Sequence, residues 1–117
     1  MIQTDPTSEQ LGEFLNKYPK HGGIVLSALG KQKPFVDALR TSIGMELLDS
    51  IIARMETMLP KIIDLKAKDE ELIEYRVLRD LGRVWARKIA AYNENVLKVK
   101  ENKLDRRVRE TDKQVDE

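Results

Sequence analysis

Apolar residues recur at intervals of three and four along most of the chain, a spacing typical of helices that bury one face. The first such run begins with Leu11, Phe14 and Leu15. It follows Thr7, and Gln10 stands three residues further on, which is the signature of a capping box. The pattern predicts a first helix of about three turns that begins just after Thr7.

The next segment contains several helix breakers, and it predicts a cluster of short helices. Residues 20–23 follow Pro19 and include two glycines, and they predict a loop. Residues 24–29 are apolar and predict a short buried helix, with Gly30 just beyond its end. Pro34 is suited to the first turn of a further helix. We therefore treat residues 1–44 as an N-terminal helical cluster.

From residue 45 to residue 65 the apolar positions cover a broad surface. This surface is wider than the ~100° stripe of an ordinary surface helix, so the predicted helix needs neighbours on two sides. Pro60 lies inside it and predicts a kink. A shift in the phase of the apolar positions predicts a chain reversal at residues 66–68, and a reversal at Pro60 is the alternative.

A second, longer helix is predicted from Asp69 to about Glu110, with three acidic residues in its first turn, where the helix dipole favours them. The two helices predict a long antiparallel hairpin over residues 45–100 and a charged helical extension over residues 101–117. The fold prediction is an all-α protein that forms one compact unit. About half of the last helix has no partner within the chain, which indicates an oligomer.

Two sets of residues are predicted to carry the packing. The predicted core comprises Leu11, Phe14, Leu26, Leu39, Leu47, Ile51, Met55, Ile62, Leu78, Leu81, Trp85 and Ile89. The predicted oligomer or partner interface comprises Leu48, Ile52, Met55, Leu59, Trp85, Ile89, Tyr92 and Val96.

The amino-acid composition excludes several kinds of site and several classes of protein. Of the 117 residues, 41% are hydrophobic and only 5% aromatic, which suits one helical core. The 21 basic and 20 acidic residues leave a net charge of +1, so bulk charge gives no argument for nucleic-acid binding. The absence of cysteine excludes disulfides, thiolate nucleophiles and cysteine metal sites. We find neither a membrane span nor a secretory signal, and we expect a cytoplasmic protein.

No motif in the sequence predicts catalysis. His21 is the single histidine, and the chain has no nucleophile turn that it would serve. Gly30 and Lys31 are followed by Gln32, where a phosphate-binding loop requires a hydroxyl residue. The acidic residues 69–71 lack the spacing of a calcium loop. We therefore expect a protein that is not an enzyme, with no catalytic residue, no cofactor and no metal ligand.

Four arginines form the most distinctive polar feature. Arg76, Arg79, Arg83 and Arg87 recur at intervals of three and four, so they line one face of the last helix. Such a stripe suits the phosphates of a nucleic acid, and it equally suits an acidic protein surface. The alternative is a solvated face on which Asp80 pairs with Arg76 and Arg83.

The leading functional hypothesis is an assembly or adaptor protein that packs its helices against copies of itself or against a partner helix. The second hypothesis is a nucleic-acid-binding accessory protein that uses the arginine stripe. An N-terminal helical cluster followed by a long helical hairpin is similar in layout to small subunits of viral DNA-packaging terminases. This resemblance implies an oligomer that binds DNA.

Overall fold

The computed structural model describes residues 2–104, which form four α-helices and no strand. The helices are α1 (Ser8–Lys17), α2 (His21–Arg40), α3 (Ser42–Ile63) and α4 (Asp69–Glu101). The prediction of an all-α protein is confirmed. No helix within the described part of the chain is long and apolar enough to cross a membrane.

Helix α1 begins as the sequence predicts. The Thr7 side chain accepts a hydrogen bond from the Gln10 amide at 3.1 Å, and the Gln10 side chain accepts one from the Thr7 amide at 2.9 Å. This capping box satisfies two amide groups that lack partners inside the helix. The helix ends at Lys17, and the Tyr18 backbone N–H caps it by donating a hydrogen bond to the Phe14 carbonyl.

Helix α2 differs most from the prediction. It runs without interruption from His21 to Arg40, so the predicted loop at 20–23, the short helix at 24–29 and the separate helix opened by Pro34 are all wrong. Glycine and proline each disfavour a helix interior. Packing overrides this preference here, because Val25, Leu29 and Val36 lie on one side of α2 and are buried.

Helix α3 also runs through its proline, so the alternative reversal at Pro60 is wrong. The chain turns after Ile63, and the Lys66 amide donates to the Lys61 carbonyl at 2.8 Å while the Leu65 amide donates to the Ile62 carbonyl at 3.1 Å. These two bonds define a Schellman motif. Its left-handed residue is Leu65, with a φ of 58°.

Helix α4 begins at Asp69 with the predicted acidic first turn, so the break between α3 and α4 lies at residues 64–68. It ends at Glu101, because Asn102 takes a φ of 56° and starts a second Schellman motif. The predicted continuation to about Glu110 is therefore wrong at this point. Leu104 folds back and is buried. Residues 105–117 of the predicted extension lie outside the described residues.

The described chain divides into two compact units, the first formed by residues 2–36 and 89–104 and the second by residues 37–88. The predicted boundary at residue 44 and the single compact unit do not match this division. The reason is that α2 and α4 each supply residues to both units. The core of the first unit comprises Phe14, Tyr18, Val25, Leu29, Val36, Tyr92, Val96, Val99 and Leu104.

The second unit has less buried apolar surface. Its buried residues are Leu39 and Met58. Of the predicted core, Phe14 and Leu39 are buried, whereas Leu47 and Leu81 are exposed, so their assignment to the core was wrong. The periodicity identifies an apolar face but not whether another helix lies against it. The other predicted core residues are half-buried: Leu11, Leu26, Ile51, Met55, Ile62, Leu78, Trp85 and Ile89.

Candidate interaction surface

Two ion pairs join α3 to α4 within the second unit. The Arg54 guanidinium donates from Nε to Glu74 Oε1 at 2.8 Å and from Nη2 to Oε2 at 2.9 Å. The Lys61 ammonium lies 3.0 Å from Glu71 Oε2. The later residue on α3 pairs with the earlier residue on α4, so the two segments run in opposite directions past these contacts.

These contacts lower the pKa values of the two acidic partners. The hydrogen bond from Arg54 lowers the pKa of Glu74, and the same bond raises the pKa of Arg54. The hydrogen bond from Lys61 lowers the pKa of Glu71, and the Lys68 amide adds to the effect. Both carboxylates are therefore held in the charged form along one side of the contact between α3 and α4.

The other side of α3 carries an apolar row that we call the α3 seam. Its residues are Met45, Leu48, Ile52, Met55, Leu59 and Ile62, at alternating intervals of three and four. This alternation is the heptad spacing of helices that pack along their length. Met45, Ile52 and Leu59 are 46%, 45% and 41% exposed, so much of the α3 seam is uncovered within the chain.

A shallow cleft lies at the centre of the α3 seam. It is lined by Ile52, Met55, Glu56 and Leu59 of α3 and by Tyr75 of α4, and its volume is about 270 Å³. The lining is almost wholly apolar, with the Glu56 carboxylate at its edge.

Charged residues of opposite sign flank the α3 seam. Asp49 and Glu56 are exposed on α3, and Arg76 and Arg83 are exposed on α4. None of these four side chains forms an ion pair with another described residue. The predicted pairing of Asp80 with Arg76 and Arg83 is not found, because its carboxylate lies 3.5 Å from Arg79 instead.

The remaining arginines of the predicted stripe occupy different environments. Arg87 is exposed, and Arg79 is half-buried with its Nε lacking a hydrogen-bond partner among the described residues. The four arginines therefore share a helix face, but only three of them present most of the side chain to solvent.

The predicted interface residues are also divided. Leu48, Ile52, Met55 and Leu59 belong to the α3 seam, and Trp85 and Ile89 of α4 are half-buried. In contrast, Tyr92 and Val96 are 2% and 0% exposed in the core of the first unit. Intrachain packing covers both side chains, so their assignment to an interface needs correction.

A polar network explains the burial of Tyr92. Its hydroxyl donates to the Asp5 carboxylate, and the Lys33 ammonium lies 3.1 Å from the same carboxylate. These groups border a cleft of about 340 Å³ that is otherwise lined mostly by apolar side chains. The network satisfies a buried hydroxyl and joins the N-terminal segment to α4.

Sequence analysis missed three residues of the surface: Asp49, Glu56 and Tyr75. The two acids occur seven residues apart, as do Arg76 and Arg83. That shared interval was the available signal, since residues seven apart return to the same helix face. Tyr75 gave no comparable signal.

The described residues contain no group of three or more acidic or histidine side chains arranged to hold a metal ion. His21 is the first residue of α2. Comparison with protein-family models, with characterised proteins and with solved structures finds no match for the chain.

Proposed function

We propose that this is a non-enzymatic assembly protein, in which α3 and the first part of α4 form an antiparallel hairpin that packs against the hairpin of a second copy. The observation that carries the proposal is the α3 seam, which has heptad spacing and in which three of the six residues are more than 40% exposed within one chain. Two helices that each bury one stripe cannot cover such a seam. A second hairpin completes a four-helix bundle and removes it from water.

The amount of exposed apolar surface in the second unit supports the proposal. Single exposed apolar residues are ordinary on protein surfaces, but contiguous rows are typical of interaction sites. The α3 seam is contiguous over six positions and continues to Ile63, which is 69% exposed. The ion pairs of Arg54 and Lys61 close the opposite side of the contact, which leaves the α3 seam as the open side.

The test is the mass of the protein in solution by sedimentation equilibrium over a range of concentrations. We expect the wild-type chain to give a mass of two chains or a multiple of two. The double substitution Ile52→Lys and Leu59→Lys places charges in the α3 seam and should give a monomer. Leu65→Lys is the matched control, since Leu65 is 93% exposed but lies outside the α3 seam. A wild-type monomer at high micromolar concentration would overturn the proposal.

A second candidate function is binding of a nucleic acid, and the exposed guanidinium groups of Arg76, Arg83 and Arg87 favour it. A stripe of cations on one helix face can follow a phosphate backbone, and its affinity falls as salt rises. A gel-shift titration at two salt concentrations tests it. Loss of binding in Arg83→Glu with Arg87→Glu, but not in Lys20→Glu with Lys31→Glu, would support this function. No shift at low salt would end it.

A further inference from the structure

We propose that the second copy is held in one orientation, in which Glu56 and Asp49 of one subunit pair with Arg76 and Arg83 of the other across the α3 seam. This inference rests on the self-association proposed above and adds to it the arrangement of the two subunits. It also assigns to the arginine stripe a partner, namely the acidic edge of a second copy of this chain.

The acids follow an apolar row on α3, and the arginines stand in equivalent places beside a row on α4 that is apolar except for Arg79. On α3, Asp49 and Glu56 each follow a seam residue, Met45 or Ile52, by four positions. On α4 a corresponding row at alternating intervals of three and four comprises Leu72, Tyr75, Arg79, Gly82 and Ala86. Arg76 and Arg83 follow its members by the same four positions. Side chains at such flanking places form the ion pairs that set partner choice and orientation when helices pack.

The two charged pairs also lie at similar heights along the helices. Within one chain, Lys61 of α3 contacts Glu71 of α4 and Arg54 contacts Glu74, and the registers that these two contacts give differ by four residues, or about 6 Å along a helix. Counted from the Lys61 contact, Glu56 lies five residues back along α3, and Arg76 lies five residues forward along α4. A further seven residues in each direction leads to Asp49 and Arg83. Each acid therefore lies within about one helical turn of the height of one arginine.

Within a single chain these groups do not meet, because they stand on the outer edges of the surface with the α3 seam between them. The charged groups of a second hairpin can contact these groups if a twofold axis parallel to the helices relates the two subunits. That rotation lays α3 of one subunit against α4 of the other, antiparallel and at unchanged height. Both acids then face arginines, twice over in the symmetric dimer.

The other twofold arrangement of facing hairpins is disfavoured by charge. An axis perpendicular to the helices lays α3 on α3 and α4 on α4. Acids then lie opposite acids and arginines opposite arginines, and like charges placed together across an interface suppress association. Charge complementarity therefore selects the arrangement in which α3 meets α4.

Side-chain size is consistent with this selection. Gly82 and Ala86 make the α4 row small at its C-terminal end, and a Cβ added at Gly82 would meet nothing within 4 Å. This open space lies level with the start of the α3 seam, where Met45 and Leu48 are large. Large side chains opposite small ones allow two helices to approach closely.

Charge reversal with exchange of partners tests the orientation. The acid variant carries Asp49→Arg and Glu56→Arg, and the base variant carries Arg76→Glu and Arg83→Glu. We expect each variant alone to weaken self-association by about tenfold or more, because like charges then face each other. An equal mixture of the two should form a heterodimer with near wild-type affinity, since every facing pair is again of opposite sign.

The matched control is Glu46→Arg, which changes an exposed acid on another side of α3 and should leave the dissociation constant unchanged. Dimers of unchanged affinity in both variants would overturn the orientation while self-association stands. A monomeric wild-type chain, including one that shifts a nucleic-acid probe, would overturn both proposals. If a variant loses helicity, the wild-type chain in rising salt decides: weaker association supports the ion pairs, and constant affinity overturns them.

Discussion

The Arg54 guanidinium holds the Glu74 carboxylate through two parallel hydrogen bonds of 2.8 and 2.9 Å. The two residues are twenty positions apart in sequence, and their contact fixes the register of α3 against α4. Paired bonds of this kind restrict both the distance and the orientation of the two groups. The contact therefore contributes more to the geometry of the second unit than to its free energy, since exposed ion pairs contribute little to stability.

The Arg54–Glu74 ion pair predicts that the stability of the fold depends on pH. The pKa of Glu74 is lowered in the folded chain from its ordinary value of 4.5, so the unfolded chain binds the proton more readily. The contribution is present above about pH 4.5 and is lost as the pH falls through the lowered folded value. The urea midpoint of the wild-type chain should fall between about pH 5 and pH 3, a range of about one unit on either side of a carboxyl pKa. We expect Glu74→Gln to make this fall less steep.

The control for this measurement is Glu70→Gln. Glu70 lies in the same first turn of α4 and forms no ion pair with the described residues. Its substitution should leave the slope of the urea midpoint against pH as steep as in the wild-type chain. Equal slopes for all three proteins would mean that the Arg54 contact does not persist in solution.

The turn after α3 predicts a stabilising substitution. Leu65 takes a left-handed conformation with a φ of 58° and is 93% exposed, so its side chain meets a conformational cost without gaining burial. Glycine adopts this conformation freely. We expect Leu65→Gly to raise the free energy of unfolding by about 0.5–1 kcal/mol, measured by urea denaturation. Leu65→Ala keeps the cost and should differ little from wild type.

Replacing Gly44 or Gly30 by alanine should change the free energy of unfolding in opposite directions. A Cβ at Gly44 would lie 2.2 Å from the Ala38 carbonyl oxygen and 2.9 Å from the Leu39 Cα, so the backbone must shift. We expect Gly44→Ala to lower the free energy of unfolding by about 1–3 kcal/mol. Gly30 lies inside α2 with open space around it, and Gly30→Ala should raise it by about 0.5–1 kcal/mol. Destabilisation by Gly30→Ala would contradict a continuous α2.

The core of the first unit predicts a large loss on truncation. Phe14 is fully buried and meets the Tyr18 ring edge-on at a centroid distance of 5.3 Å. We expect Phe14→Ala to cost about 3–5 kcal/mol of unfolding free energy. The neighbouring Leu15 is 40% exposed, and Leu15→Ala should cost well under half as much. Thermal unfolding followed by circular dichroism compares the two, and equal losses would place Phe14 outside the core.

Local signals predicted the features that depend on a few neighbouring residues. The capping box at Thr7, the reversal before Asp69 and the acidic first turn of α4 each involve contacts within one or two helical turns. Helix α2 was not predictable in this way. Gly30 and Pro34 both indicate breaks, and the burial of Val25 and Val36 against distant parts of the chain outweighs them.

The surface was predictable only in part for a related reason. Periodicity placed Ile52 and Leu59 on an apolar face and Arg76 and Arg83 on a basic one. It did not show that Tyr92 and Val96 are buried in the core of the first unit. Their burial depends on the packing of the N-terminal segment against the end of α4, which is a contact between distant parts of the sequence. Nor did the periodicity single out Glu56, whose proposed pairing with a second copy depends on its height relative to Arg76.

The stretches of sequence that form each unit affect the order in which the two units fold during synthesis. The second unit uses the contiguous residues 37–88, so all of its contacts are available as soon as that stretch has emerged. The first unit joins positions far apart in sequence, as in the bond from the Tyr18 hydroxyl to the Asn102 carbonyl, 84 residues away. On a translating ribosome the nascent chain must therefore complete its last helix before Phe14 and Tyr18 are covered by Tyr92, Val96 and Val99, although the two rings can contact each other earlier.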